Sequence, residues 1–345
     1  MIPLRIGILA PVTWRTPPRR YGPWEQVASH LAEGLVARGH QVTLFATGDS
    51  VTRAQLEWVV PRPLGESPPD DPDLDQFLHM VHAFRQAGRF DLIHNHLNWQ
   101  PLLFAELVAT PVVTTLHGAA MLEPASRRAF LRFPHRPCVA ISQAERDAVP
   151  GLDYVATVPN GIELERFTFR DRPGEYLLFL ARMHPAKGPD LAIEVARRTG
   201  RRLVMAAHIP PDQEAYFEQE IRPLIDGEQI RFVGEAGPAA RDRLMGGALA
   251  LLHLVRQPEP FGLTLAEAQA CGTPVIGFDR GSVREVVAHG ETGFVVETLE
   301  RVCSAVEQAV RLSRAACRQR VERFYTVDRM VEGYLAAYER VLSGG

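Results

Sequence analysis

The chain has 345 residues, 46% of them hydrophobic, and a formal net charge of -3. That is length enough for two cores, and it lacks the basic excess of a nucleic-acid binder. No apolar run approaches the roughly eighteen residues of a membrane helix. The opening Met1-Ile2-Pro3-Leu4-Arg5-Ile6-Gly7-Ile8 has neither the charged lead nor the small-residue cleavage site of a signal peptide, so it reads as strand and a cytoplasmic enzyme is expected. Cys138, Cys271, Cys303 and Cys317 are widely spaced and form no Cys-x-x-Cys pair, which disfavours a zinc site and a disulfide framework.

In chain order, a buried strand, Ile6-Gly7-Ile8-Leu9-Ala10, precedes a helix over residues 24–38 and a strand, Gln41-Val42-Thr43-Leu44-Phe45-Ala46. Strand, helix and strand at this spacing form a parallel βαβ unit. Residues 61–75, rich in Pro and Asp, read as a surface loop. Within it, Asp71-Pro72-Asp73-Leu74-Asp75 matches the Asp-x-Asp spacing of some metal-dependent transferases, but no apolar strand precedes it and a solvated charge run is expected. Short strands follow at 90–94, 111–117, 138–142 and 155–158. His94-Asn95-His96 has the look of a metal pair; its rings are expected on opposite faces, binding no metal.

After a polar break at residues 163–173 a second alternating series begins. Strands are expected at 176–181, 202–207, 230–233 and 248–252, with helices over 189–198, 212–225 and 239–245. A last amphipathic helix over 327–342 puts Met330, Tyr334 and Tyr338 on one face, a face that suits either half. The fold class is α/β, two doubly wound halves with a linker near residue 168. Ligands of open α/β sheets sit beyond the carboxyl ends of the strands, so strand-end residues are the candidates for chemistry.

The densest such stretch is Glu259-Pro260-Phe261-Gly262-Leu263-Thr264-Leu265-Ala266-Glu267-Ala268. Two carboxylates bracket a Pro-Phe-Gly turn at a helix start, where backbone N–H groups receive an anion. Thr264-Leu265-Ala266-Glu267 also fits a capping box, which would make Glu267 structural; both readings stand. Arg182 and Lys187-Gly188 follow the strand at 176–181. Of 38 basic residues only Lys187 is a lysine, and a compact ammonium suits a phosphate oxygen where this chain otherwise writes arginine; a solvated turn is the alternative.

In Tyr21-Gly22-Pro23-Trp24-Glu25, Pro23 suits a first helical position and Gly22 lets a ligand approach the backbone, though a plain helix start explains both. His117 ends a strand in Thr115-Leu116-His117-Gly118, placed to donate to a ligand hydroxyl or to serve structurally. Arg127, Arg128, Arg132 and Arg136 with Phe130 and Phe133 offer a basic, aromatic face either to an anionic lipid surface, as a peripheral membrane contact, or simply to solvent. No phosphate loop of the Gly-x-x-x-x-Gly-Lys-Ser/Thr type is present, and no Gly-x-Gly-x-x-Gly follows a strand, so ATPase and simple dehydrogenase readings lose support.

Several motifs in order resemble glycosyltransferase family 4, retaining enzymes of the GT-B fold. They are Tyr21-Gly22 with Glu25, Thr115-Leu116-His117-Gly118, Val139-Ala140-Ile141-Ser142, Val158-Pro159-Asn160-Gly161-Ile162-Glu163, Arg182 with Lys187-Gly188, Phe232-Val233-Gly234, Glu259 through Ala268, Gly272-Thr273-Pro274-Val275 and Glu285-Val286-Val287. The resemblance implies two Rossmann-like domains facing a central cleft. Residues 1–167 would form the acceptor side, 168–324 the nucleotide-sugar side, and a helix within 325–345 would cross back to the first.

It further implies that Arg182 and Lys187 bind the donor diphosphate, Glu267 the ribose and Glu259 a hydroxyl of the transferred sugar. Backbone amides of Phe261, Gly262 and Leu263 would complete the cradle, with the base near Val233 and Gly234. Gly22 would approach the diphosphate and His117 the donor sugar, while Tyr21, Glu25 and His96 would lie on the acceptor side. Two departures are Gly22-Pro23 and Gly281-Ser282, where relatives often have Gly-Gly. The expected reaction moves a hexose from a nucleoside-diphosphate sugar, UDP-linked or GDP-linked, to an acceptor hydroxyl of a glycan, lipid or small molecule. Retention is expected, with no metal or other cofactor. The alternatives are a nucleotide-sugar isomerase or epimerase and a catalytically silent nucleotide-sugar-binding protein.

Overall fold

The near-continuous apolar runs become parallel strands covered on both faces, the setting that removes any need for alternation. A computed structural model describes residues 3–344. Met1 and Ile2 of the opening stretch and Gly345 at the end lie outside the described residues. Two compact units emerge, one running to Gly161 and resuming at Val327, the other Ile162–Thr326.

The first unit holds β1 (Arg5–Leu9), β2 (Gln41–Phe45), β3 (Gln55–Glu57), β4 (Leu92–Asn95), β5 (Val112–Thr115), β6 (Pro137–Ala140) and β7 (Asp153–Thr157). Its seven-stranded sheet is ordered β3-β2-β1-β4-β5-β6-β7, with Ile6 paired to Val42 on one side and Leu92 on the other. Strand β3 is too short for any periodicity to reveal.

The run around Asp71 is not a loop. Asp71 caps the helix Pro72–Phe84, its Oδ1 accepting the Leu74 N–H at 3.0 Å, and Asp73 and Asp75 occupy the first turn. Pro at a first helical position and acids near a helix N-terminus are both favourable. Leu74, Phe77 and Leu78 of this helix face outward, which hid its amphipathic pattern.

The helix Val327–Leu342 belongs to this unit and buries Met330, Tyr334 and Tyr338. The Tyr338 hydroxyl lies 2.6 Å from His94 Nδ1 and the Tyr334 hydroxyl 3.0 Å from Thr115 Oγ1. A side chain at Gly34 would come 2.5 Å from Val331 Cγ2, so the helix Pro23–Ala37 approaches the last helix through a residue without a Cβ.

The second unit holds β8 (Tyr176–Leu180), β9 (Arg202–Ala206), β10 (Ile230–Phe232), β11 (Ala248–His253), β12 (Val275–Phe278) and β13 (Gly293–Val296). The order is β10-β9-β8-β11-β12-β13, all parallel. Its core gathers Leu177, Phe179, Met205, Phe217 and Ile276 among others. The helix expected over 212–225 is broken into short turns, including a π turn at Phe217–Ile221 and a 3₁₀ turn at Arg222–Leu224. Pro223 has no N–H to continue an α-helical ladder. Among the described residues no helix is long and apolar enough to cross a membrane.

Both sheets run outward in opposite directions from a central pair, β1 with β4 and β8 with β11. Such a reversal of strand order opens a crevice at the carboxyl ends, where doubly wound proteins bind ligands.

Candidate functional site

In the second unit, the crevice between β8 and β11 collects the candidates. Past β8, Arg182 stands exposed and the turn Pro185–Lys187 leads to Gly188. Gly188 has φ 68°, and a Cβ there would sit 2.3 Å from the carbonyl oxygen of Leu254, just beyond β11. Only glycine therefore lets the two strand-end loops touch. Their contact carries the central pair: Lys187 Nζ donates to Glu259 Oε2 at 2.7 Å. His253, the last residue of β11, puts Nε2 3.1 Å from the same oxygen, out of line for a hydrogen bond.

Burial by itself would push the Glu259 carboxyl up. Lys187 and His253 outweigh that, and the group is pulled down to about 2, so a carboxylate is present throughout the neutral range. The Glu259 backbone is fixed as well: its carbonyl accepts the Ser282 N–H at 2.8 Å, and a Cβ at Gly281 (φ 62°) would fall 2.3 Å from that carbonyl oxygen.

Gly262 (φ 80°) starts the helix Leu263–Ala270 with no side-chain cap, leaving first-turn N–H groups to meet a ligand or solvent. Thr264 sits inside the helix and caps nothing, so the capping-box reading of Glu267 falls. Instead Glu267, buried mid-helix, pairs directly with Arg241 of the helix Pro238–Gly246. Phe261 turns its ring into the structure, edge-on to Tyr325 at 5.7 Å, and offers ligands its amide alone. Val233, 49% exposed, and Gly234 follow β10, two strands from β8 at the same end of the sheet. A depression of about 360 Å³ lined by Gly174, Tyr176, Arg202 and Arg231 lies at the amino ends of the strands and holds none of the candidates.

In the first unit, the loop after β1 ends at Gly22, where a Cβ would lie 2.7 Å from Pro18 Cβ. Glu25 is buried; its Oε1 accepts the Trp14 N–H at 3.1 Å, and burial pushes the carboxyl up to about 7. Glu25 thus clamps the loop from within. Tyr21 is half-buried, its ring edge-on to Trp14. After β4 and β5 respectively, His96 Nδ1 and His117 Nε2 lie 2.9 Å apart. Trp24 stacks on His117 with centroids at 5.3 Å. His117 has φ 51°, the sole positive value at a non-glycine among the described residues, a strained conformation of the sort that marks functional positions. Glu145 holds that turn in place, accepting the N–H of Gly118 with one oxygen and that of Ile141 at 2.8 Å with the other.

Burial drives His94 and His117 down to about 3 and His96 well below its usual range, so all three are neutral imidazoles. The expectation that His94 and His96 diverge is wrong. Residues i and i+2 of a strand share a face, and the two rings stand 4.1 Å apart. Of the basic, aromatic face, Phe130 is buried in the core and Arg136 is tied to Glu106 at 2.7 Å, which takes that ring away from any lipid surface.

Four residues around these sites escaped the sequence reading. His253 was accessible to the strand-end rule, and Glu145 sits in a Ser142-x-x-Glu145 helix start whose Ser142 hydroxyl accepts the Glu145 N–H at 3.0 Å. Trp24 lay inside a motif read for its glycine. Arg241 carries no local signal.

Residues 163–321 match the family described as Glycosyl transferases group 1, and residues 24–166 match Glycosyltransferase Family 4. The D-inositol 3-phosphate glycosyltransferase of Pseudarthrobacter chlorophenolicus is 27% identical over 77% of this chain and 76% of its own. A glycogen synthase of Mycobacterium tuberculosis is likewise 27% identical, over 87% and 84%. The Anabaena protein Alr3699/HepE, solved in complex with UDP and glucose, superposes with a TM-score of 0.76 at 18% identity, covering 97% of this chain and 99% of that one. The two Rossmann-like units make the fold GT-B, and the family matches and relatives make the chain a glycosyltransferase. The chain belongs to glycosyltransferase family 4.

Proposed function

We propose that the protein transfers a hexosyl group from a nucleoside-diphosphate sugar, UDP-linked in the first instance, to an acceptor hydroxyl, with retained configuration and without a metal ion. The observation that carries this reading is the 2.7 Å contact of Lys187 with Glu259 at the β8–β11 crevice. It sets the chain's one lysine beside a carboxylate that is ionised throughout the neutral range, next to an uncapped helix mouth. Lys187 and the exposed Arg182 supply positive charge where a diphosphate leaves with the electrons of the broken glycosidic bond, the service a divalent cation gives elsewhere. Glu259 accepts hydrogen bonds from the transferred sugar. Amides of Phe261, Gly262 and Leu263 cradle the phosphate and sugar, Glu267 takes the ribose, and the base lies near Val233 and Gly234.

The second unit is thus the donor half and the first, which carries Gly22 and His117, the acceptor half. In the transfer itself the acceptor oxygen bonds to the anomeric carbon on the face the diphosphate leaves. The acceptor proton passes to the departing phosphate oxygen, so no protein nucleophile is required. The UDP and glucose in the Anabaena complex support the choice of donor. The relatives' names point to different acceptors, inositol 3-phosphate and glycogen, so the acceptor is proposed only as a hydroxyl.

Lys187→Ala is expected to lower kcat by about 10²–10³, the usual effect of deleting one charge-stabilising donor, with the circular dichroism spectrum unchanged. Near-normal turnover would remove the leaving-group role. Glu259→Ala is expected to weaken binding of the intact donor more than of free UDP in calorimetry; equal losses would argue against a sugar contact. NMR of enzyme and donor alone separates transfer from isomerisation, since interconversion without acceptor would replace the proposal.

A further inference from the structure

The helix Pro72–Phe84 is amphipathic in an unusual sense: it has an apolar face on each side. Inward it buries His79, Met80, Ala83 and Phe84. Outward it presents Leu74, Phe77, Leu78 and Val81, exposed by 53, 44, 47 and 37%. Those four recur at i, i+3, i+4 and i+7, one stripe along the helix. Contiguous apolar surface of this kind on a folded unit marks an interaction site. His82 meets Glu57 of β3 at 3.3 Å, so the helix runs beside the free edge of the sheet, where Trp58 and Val59 are also exposed.

The charges at the two ends of the stripe select the occupant. Asp70, Asp71 and Asp73 lie exposed at its amino end. Arg85, exposed at its carboxyl end, makes no ion pair among the described residues, and Arg89 lies one turn on. An anionic membrane would be repelled by the acidic end. A second copy of the same helix, running antiparallel, meets acid with base at both ends. We propose that this face joins two copies of the chain in an isologous contact, with the two-fold axis at Leu78. Leu78 then packs on its symmetry mate and Leu74 faces Val81 of the other copy. Asp71 faces Arg85 of the other copy, seven residues or about 10 Å from the axis on either side. One helix face is smaller than the roughly 1,200 Å² of a stable interface, so association depends on concentration.

Sedimentation velocity of the full chain from low to high micromolar concentration tests this, with an expected rise from one 38.4 kDa chain to two. Leu78→Glu places two carboxylates on the axis and is expected to raise the dissociation constant about 100-fold, equivalent to about 2.8 kcal/mol. Arg85→Asp is expected to raise it about tenfold; adding Asp71→Arg to that variant is expected to recover most of the loss. Asp71→Asn, which keeps the helix cap, is expected to weaken association slightly and make it less sensitive to salt. Thermal melts establish that each variant is folded. A single-chain mass at every concentration, a dimer indifferent to Leu78→Glu, or binding to anionic vesicles in place of self-association would each overturn the proposal.

Discussion

Glu259 and Glu145 are both buried carboxylates, yet their surroundings drive them in opposite directions. Glu259 has Lys187 and His253 against it and falls from 4.5 to about 2. A depressed carboxyl contributes stability that is present above its unfolded value and lost as pH falls through its folded one. The acid limb of the stability curve, followed by urea denaturation, should therefore include a loss between about 4.5 and 2 that disappears in Glu259→Gln. Glu145, without a cation, is raised by burial to about 7 against the pull of two backbone N–H groups. Its contribution is complete below the unfolded value and is lost as pH rises through about 7. Glu145→Gln should flatten that decline. Because an amide can accept only one of the two N–H groups, it should also cost about 1–3 kcal/mol, read as a lower Tm.

At the scale of elements, the site depends on backbone that only glycine can form. Gly188 and Gly281 both have positive φ and carbonyl oxygens 2.3 Å from where a Cβ would be. Gly188→Ala should destabilise the protein by about 1–3 kcal/mol and weaken donor binding, because it pries the Lys187 loop from the end of β11. A normal donor Kd in a folded Gly188→Ala protein would mean that the loop contact is dispensable. These elements were unevenly legible. Strands such as Leu177 to Leu180 and the Gly262 helix start announce themselves by composition and turn chemistry. The helix Pro72–Phe84 did not, since its outward apolar stripe masked the usual pattern, and the stretch over 212–225 promised a regular helix that Pro223 interrupts.

For the whole molecule, the two units have separate sheets and cores, but the first is completed by chain from the far end. Residues 162–326 alone should fold and bind the proposed nucleoside diphosphate. Residues 1–161 without the last helix should not fold. They would lack Tyr334 and Tyr338, both fully buried; losses of about 3–5 kcal/mol for each large aromatic compare with a typical total of 5–15. Circular dichroism of the two fragments decides both points. The sequence by itself determined the alternation of strands and helices, the strand-end position of Arg182, His117 and Glu259, and the singular Lys187. Those follow from local periodicity and chemistry. Only the tertiary structure decided which of these residues meet: Lys187 with Glu259, 72 positions apart, Glu267 with Arg241, His96 with His117, and Glu145 with the turn at Gly118. Such pairings depend on which parallel strands become neighbours, and strand order is set by the packing of the whole sheet and carries no mark in the residues on either side.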